Sequence, residues 1–205
     1  MKKVLLASNN PGKIREIQAM LAEHDLTVIP QSDFGVVEAD ETGLTFVENA
    51  LIKARYASEL SGLPAIADDS GLEVDFLGGA PGVYSARYAG PGATDAKNNE
   101  KLLAALAGVP FSVRTARFRC VMVYLRHASD PSPIIAEGAW PGVILEAARG
   151  GGGFGYDPLF YVPECECASA ELDPGTKNRL SHRGQALRSL AAAMMSTHGA
   201  LAGAS

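Results

Sequence analysis

Apolar side chains recur along this chain in two rhythms. Val4-Leu5-Leu6 is a short unbroken run of a length that suits a buried strand. Ile14, Ile17 and Leu21 then return at helical spacing with Arg15, Glu16 and Gln18 between them. That spacing predicts a helix over 12–23 with the three polar residues turned outward. Thr27–Pro30 has room for a short second strand, and 31–44 is polar and glycine-bearing. Thr45-Phe46-Val47-Glu48 carries the capping-box pattern. Ala50, Leu51, Ala54, Ala57 and Leu60 continue that helix until Gly62 and Pro64 stop it. Pro64–Ala67 then predicts a short strand ending at the turn-like Asp68-Asp69-Ser70-Gly71.

The segment Gly78–Gly92 is crowded with glycine and proline and predicts loop. Thr94 can cap a helix running to Leu106. Arg114–His127 is the longest strand pattern, and Ile134–Gly142 returns antiparallel after the turn Ser129–Pro133. Four glycines, Gly150–Gly153, precede Phe154-Gly155-Tyr156-Asp157 and the apolar run Leu159–Val162. Ala186, Leu187, Leu190, Ala193 and Met194 mark one face of a last helix, and Gly199–Ser205 reads as an aperiodic, frayed tail. The order predicts an α/β fold, an elongated mixed β-sheet flanked by helices. We expect one domain over 1–198, its two lobes sharing a central cleft.

Composition narrows this little. Apolar residues make up 47% and charged residues 20% of 205, which excludes a disordered chain. A formal charge of −5 excludes a dedicated polyanion binder and leaves a small phosphorylated ligand open. No apolar run reaches the roughly 20 residues of a membrane span. Val4–Ala7 is too short for a signal-peptide core, so the cytoplasm is the expected compartment. The three cysteines, Cys120, Cys165 and Cys167, fit reduced thiols, and Cys165-Glu166-Cys167 lacks a second Cys or His pair at zinc spacing.

Five groups of residues can carry chemistry. Ser8, Asn9, Asn10, Pro11, Gly12 and Lys13 join the first strand to the first helix. A helix N-terminus presents N–H groups and a favourable dipole to phosphate, and Lys13 adds a point charge. An ordinary strand-to-helix turn would read the same way. Asp68 and Asp69 are adjacent, so on a strand their side chains point oppositely and one of them faces a given site. Such a carboxylate suits Mg²⁺ or a water about to attack phosphorus, and an Asx-type turn is the plain alternative. Glu41 precedes a helix on which Asn49 and Lys53 share a face, so Lys53 can meet phosphate and Glu41 a metal. Phe154, Gly155, Tyr156 and Asp157 can stack on and read a base, or simply begin a core strand. Lys177, Ser181, His182 and Arg183 form a donor-rich cluster before the last helix that suits a carbonyl-bearing base or a phosphate. Together these describe a nucleotide with a metal.

The same residues resemble a known family. Ser8–Lys13, Glu41–Phe46 with Glu48-Asn49-Ala50, Ala67–Leu72, Gly79–Tyr88, Gly153–Pro158 and Ser181–Leu187 occur in the order found in the bacterial ITP/XTP pyrophosphatases, the Ham1-like family. The resemblance runs from Lys3 to about Leu190. It implies Mg²⁺-dependent hydrolysis of ITP, dITP and XTP to the monophosphate and pyrophosphate by a homodimer, removing deaminated purines from the nucleotide pool. It further implies that Ser8–Lys13 bind the triphosphate, that Asp69 is proton acceptor and metal ligand, and that Glu41 helps to hold Mg²⁺. Ser70 would contact substrate, and Phe154–Asp157, Lys177, His182 and Arg183 would surround the base. Two features depart from the pattern: Cys165–Ala170 is less aromatic and less charged than expected, and Gly150–Gly153 gives the base loop extra freedom. Two rivals remain at this point: a Maf-like pyrophosphatase of other modified nucleotides, and a non-catalytic nucleotide sensor. Glu41, Asp68 and Asp69 argue against the sensor, and Ser181-His182-Arg183 favours purines.

Overall fold

The structure is a computed structural model that describes residues 2–22, 26–35 and 37–202. Seven strands form one mixed sheet in the order β2-β1-β3-β4-β5-β6-β7. They are β1 Lys2–Leu6, β2 Leu26–Pro30, β3 Ala65–Val74, β4 Thr115–Leu125, β5 Ile134–Ile144, β6 Phe160–Val162 and β7 Cys167–Ala168. β1 pairs in parallel with β2 and β3, whereas β5–β6 and β6–β7 are antiparallel. The helices are α1 Pro11–Leu21, α2 Phe46–Ser61, α3 Asp95–Ala105, α4 Pro174–Leu180 and α5 His182–Ala202. This is the expected α/β fold on a mixed sheet. Among the described residues, no helix is long and apolar enough to cross a membrane.

The chain resolves into two compact units. Unit 1 takes residues up to 69, 120–138 and from 183 onward, and unit 2 takes 70–119 and 139–182. Each has its own apolar core. In unit 1 the alternation of strand side chains separates two faces. Val4, Leu6, Ile66, Cys120 and Met122 pack with α1 and α5, while Leu5, Ala7, Ala65, Ala67, Val121 and Val123 pack against the alanines of α2. In unit 2, Phe118, Trp140 and Phe160 gather with Leu72, Leu102, Ile144 and Tyr156. Phe118 and Phe160 lie with ring centroids 4.5 Å apart, and a Cβ on Gly142 would stand 2.5 Å from the Phe160 ring. Glycine at 142 is what lets β5 and β6 approach.

Local signals explain most boundaries. Thr45 and Glu48 close a reciprocal cap on α2, and Gly62 ends it at φ +68° in the left-handed region. Thr94 caps α3 through the Lys97 N–H. The expected 114–127 and 134–142 strands are β4 and β5, and the Ile144 N–H donates to the Arg114 carbonyl at the end remote from the turn. Three expectations change. β3 does not end before Asp68 but runs through Asp68-Asp69-Ser70-Gly71 to Val74, so these residues are strand and not turn. Glu16 is not solvated but pairs with the buried Arg183. α5 continues to Ala202, past the start of the expected tail, because this alanine-rich stretch propagates helix. Residues 203–205 of that tail, and residue 23 at the expected end of the first helix, lie outside the described residues.

Candidate active site

Unit 1 builds a charged centre around β3. Asp68 and Asp69 are 1% and 5% exposed, and the strand sends them to opposite faces. Asp68 follows Ile66 onto the face covered by α1 and α5. There its Oδ2 meets Lys13 Nζ at 2.9 Å and Arg183 Nε at 3.6 Å. Arg183 in turn reaches Glu16 Oε2 at 2.5 Å. Asp69 faces α2, where Lys53 Nζ donates to its Oδ1 at 3.1 Å and Asn49 Nδ2 to its Oδ2 at 3.1 Å. Lys53 Nζ also donates to Glu41 Oε1 at 2.6 Å. The loop carrying Glu41 is fixed next to this helix by the Gly43 N–H, which donates to Asn49 Oδ1 at 2.8 Å.

The two carboxyls therefore behave differently. Burial pushes Asp68 up, but Lys13, Arg183 and Lys53 together outweigh it and hold the group well below the ordinary carboxylate range. For Asp69 burial wins: despite Lys53 and Lys13, and helped by repulsion from Glu41, its carboxyl is raised. Burial draws Lys53 down, yet Asp69, Asp68 and Glu41 more than compensate, and it stays a firm cation. Neighbouring carboxyls pushed in opposite directions are the arrangement that separates an acid–base group from a permanently ionised one.

The opening loop is organised differently from the sequence expectation. Ser8 Oγ accepts from the Asn10 N–H at 3.2 Å, and Asn10 Oδ1 accepts from the N–H groups of Gly12 and Lys13 at 2.9 and 3.1 Å. Pro11 has no N–H, and the Ile14 N–H goes to the Asn10 carbonyl. The first-turn donors of α1 are thus engaged by an Asn cap and do not point outward as a ready cradle. What this loop offers an anion is the helix dipole, the exposed Asn9 and Asn10, and the Lys13 ammonium.

Unit 2 builds the second group. Asp157 is buried and its carboxylate ties three parts of the chain together. Its Oδ2 accepts from the Phe154 N–H at 2.8 Å and Lys177 Nζ at 2.7 Å, and its Oδ1 from Ser169 Oγ at 2.9 Å. Lys177 Nζ lies 5.0 Å from the centroid of the half-buried Phe154 ring. Gly153, at φ +73°, passes so close that a Cβ there would sit 2.1 Å from Asp157 Oδ2. His182 stacks on Phe118 at 4.8 Å with 13° between planes. Tyr156 is buried and its hydroxyl donates to the Ser85 carbonyl at 2.8 Å, so it anchors the loop instead of offering a free ring. The glycine run is anchored as well: the Gly152 N–H donates to the Ala170 carbonyl at 3.0 Å, and Arg149 bridges to Glu171 at 3.0 Å.

The structure thus brings Ser8–Lys13, Glu41, Lys53 and Asp69 together in unit 1, and Phe154–Asp157, Lys177 and His182 in unit 2. Arg183, expected with the latter, sits with Asp68 and Glu16 in unit 1. Ser70 follows Asp69 on β3 and is half-buried. Asn49 was placed on a face with Lys53 by its helical spacing but given no role, whereas Glu16, Ser85 and Ser169 were not among the expected site residues.

Among the described residues, no group of three or more His, Cys, Asp or Glu could hold a metal ion by itself. Glu41 and Asp69 nevertheless converge on one cation, the Lys53 ammonium. Two hard carboxylates completed by waters and substrate phosphates are the ligand set Mg²⁺ takes.

Comparison with known proteins identifies the family. A model of the Ham1 family matches residues 4–193. A dITP/XTP pyrophosphatase of Thioalkalivibrio sulfidiphilus is 64% identical over 188 residues, 92% of this chain and 96% of its own. One of Vibrio parahaemolyticus is 62% identical over 190 residues, 93% and 95% of the two chains. The solved structure of a HAM1 protein from Coxiella burnetii superposes with a TM-score of 0.88 at 49% identity, covering 96% of this chain and all of that one (100%).

Proposed function

The chain belongs to the Ham1 family, and we propose that it hydrolyses the purine nucleoside triphosphates ITP, dITP and XTP to monophosphate and pyrophosphate. Mg²⁺ is the cofactor, the homodimer the working form and removal of deaminated purines from the nucleotide pool the role. The observation that carries this reading is the pair on β3: two buried, adjacent carboxyls, each against its own lysine, with acidities moved in opposite directions.

Glu41 and Asp69 would hold Mg²⁺, which when bound neutralises phosphate oxygens and makes a bound water more acidic. Asp69 is the base: its raised carboxyl accepts the proton of the attacking water at a carboxylate oxygen. Lys53 keeps that carboxylate and Glu41 on one cation position. Asp68 stays ionised and anchors Lys13, whose ammonium, with Ser8, Asn9 and Asn10, receives the phosphate chain. In unit 2 the Phe154 ring supplies stacking area for the purine, and Lys177 and His182 supply donors. Hypoxanthine and xanthine carry an acceptor at C6 where adenine carries an amino group. A donor that binds O6 is left facing another donor in adenine, at about 1–3 kcal/mol per lost buried hydrogen bond.

The test is pyrophosphate release from ITP, dITP, XTP, ATP and GTP, with and without Mg²⁺. Release from the first three only, and only with Mg²⁺, is expected. Equal turnover of ATP overturns the specificity, and full turnover without divalent cation overturns the metal assignment.

A further inference from the structure

The aromatic loop of unit 2 is held at a single residue by α3. Asp95 opens that helix and Asn99 follows four residues later, on the same face. Asp95 Oδ2 accepts from the Gly155 N–H at 2.7 Å, and Asn99 Nδ2 donates to the Gly155 carbonyl at 2.9 Å. Both hydrogen-bonding groups of the residue between Phe154 and Tyr156 are therefore taken by one helix. Gly155 adopts φ +63° with open space where a Cβ would stand, so glycine serves the backbone turn there and not a close approach. The turn separates the two aromatics: Tyr156 goes down to the Ser85 carbonyl, and Phe154 stays half-buried beneath Lys177. α3 is itself pinned, because Asn98 accepts from the Ala89 N–H at 2.7 Å and donates to the Ala86 carbonyl at 3.1 Å.

We propose that Asp95 and Asn99 are positioning residues for substrate selection: by clamping Gly155 they set where the Phe154 ring meets the base, and so the affinity for 6-oxopurine nucleotides. The inference rests on the reading of the Phe154 loop as the base site. Asp95 and Asn99 act through the Gly155 backbone, so their loss falls on binding of the base and leaves cleavage of the phosphate anhydride nearly untouched.

The experiment compares wild type with Asp95→Ala and Asn99→Leu, using dITP as substrate and inorganic tripolyphosphate as competitive inhibitor. Tripolyphosphate has the phosphate chain and no base. Each variant is expected to raise KM for dITP about five- to tenfold, the value of one hydrogen bond, with kcat within about twofold. Ki for tripolyphosphate stays at the wild-type value. Asp95→Asn keeps an acceptor oxygen for the Gly155 N–H and returns KM to within about twofold of wild type. An unchanged KM in both disruptive variants overturns the clamp, and so does a Ki that rises in step with KM, which marks general loss of structure. A wild-type enzyme that fails on both dITP and XTP overturns the functional reading instead.

Discussion

Asp68 and Asp69 differ by one step along a strand and by almost everything else. Asp68 is the counter-charge of Lys13 and Arg183 in a buried cluster, whereas Asp69 is held by Lys53 and Asn49 with its carboxyl raised. Neutralising each should therefore fail in a different way. Asp68→Asn leaves the buried Arg183 and the half-buried Lys13 short of charge and is expected to cost about 3–5 kcal/mol in urea unfolding, as breaking buried pairs does. Asp69→Asn keeps a side chain of the same shape beside Lys53 and Asn49. It is expected to fold and bind nucleotide while kcat falls about 10²–10⁴-fold, the usual contribution of a general base. Near-normal kcat in Asp69→Asn would take the base role from it. The adjacency of the two residues and their opposite directions were legible in the sequence, but their partners were not. Glu16 and Arg183 are 167 positions apart, and a charged residue between apolar helix positions reads as solvated until its partner is known.

At the scale of elements, the signals that worked were local and reciprocal. Thr45 with Glu48 fixes the start of α2 within four residues, and no distant contact is needed to read it. β3 shows the opposite case. Asp-Asp-Ser-Gly is turn chemistry by propensity, yet it continues as strand because Lys13 and Lys53 neutralise the two carboxylates from opposite faces. The turn between β4 and β5 belongs with the local cases. Asp130 accepts from the Arg126 backbone N–H, from Arg126 Nε and Nη2, and from the Ser132 N–H, at 2.5–3.0 Å. From α2, Arg55 donates to the Ala128 and Asp130 carbonyls. The Arg126 hydrogen bonds outweigh burial and hold the Asp130 carboxyl below its ordinary range. A folded-state pKa below the unfolded value of about 3.9 means stability that is present above that value and drains away as pH falls below it. Asp130→Ala is thus expected to be less stable than wild type by about 1–3 kcal/mol at pH 7. The gap should narrow steadily from about pH 4 to pH 2 in denaturant titrations. A gap independent of pH would show that the carboxylate's charge does not hold the turn.

At the scale of the whole molecule, each compact unit is assembled from separated stretches of chain. The backbone changes unit after residues 69, 119, 138 and 182, so β3, β4 and β5 each contribute to both. No composition shift or linker in the sequence marks these points, because they fall inside strands and at the first residue of a helix, where the apolar pattern runs on. The three cysteines report on the two units separately. Cys120 is fully buried in the unit 1 core among Val4, Ile66 and Leu187, and burial, with repulsion from Asp68, pushes its thiol up to about 12. At pH 8 such a thiol is ionised in only about one molecule in 10⁴, and Cys120 is 0% exposed in the folded state. Cys165 and Cys167 in unit 2 are half-buried and within reach of a reagent. Under native conditions a small aromatic disulfide reagent is therefore expected to modify two thiols promptly, with the third appearing only as the unit 1 core opens. Peptide mapping should place the slow thiol at Cys120. Leu190→Ala, which removes a fully buried neighbour from that core, should accelerate it, with unfolding made easier by about 2–5 kcal/mol. Three thiols reacting at one rate in the folded wild-type protein would contradict a closed unit 1 core.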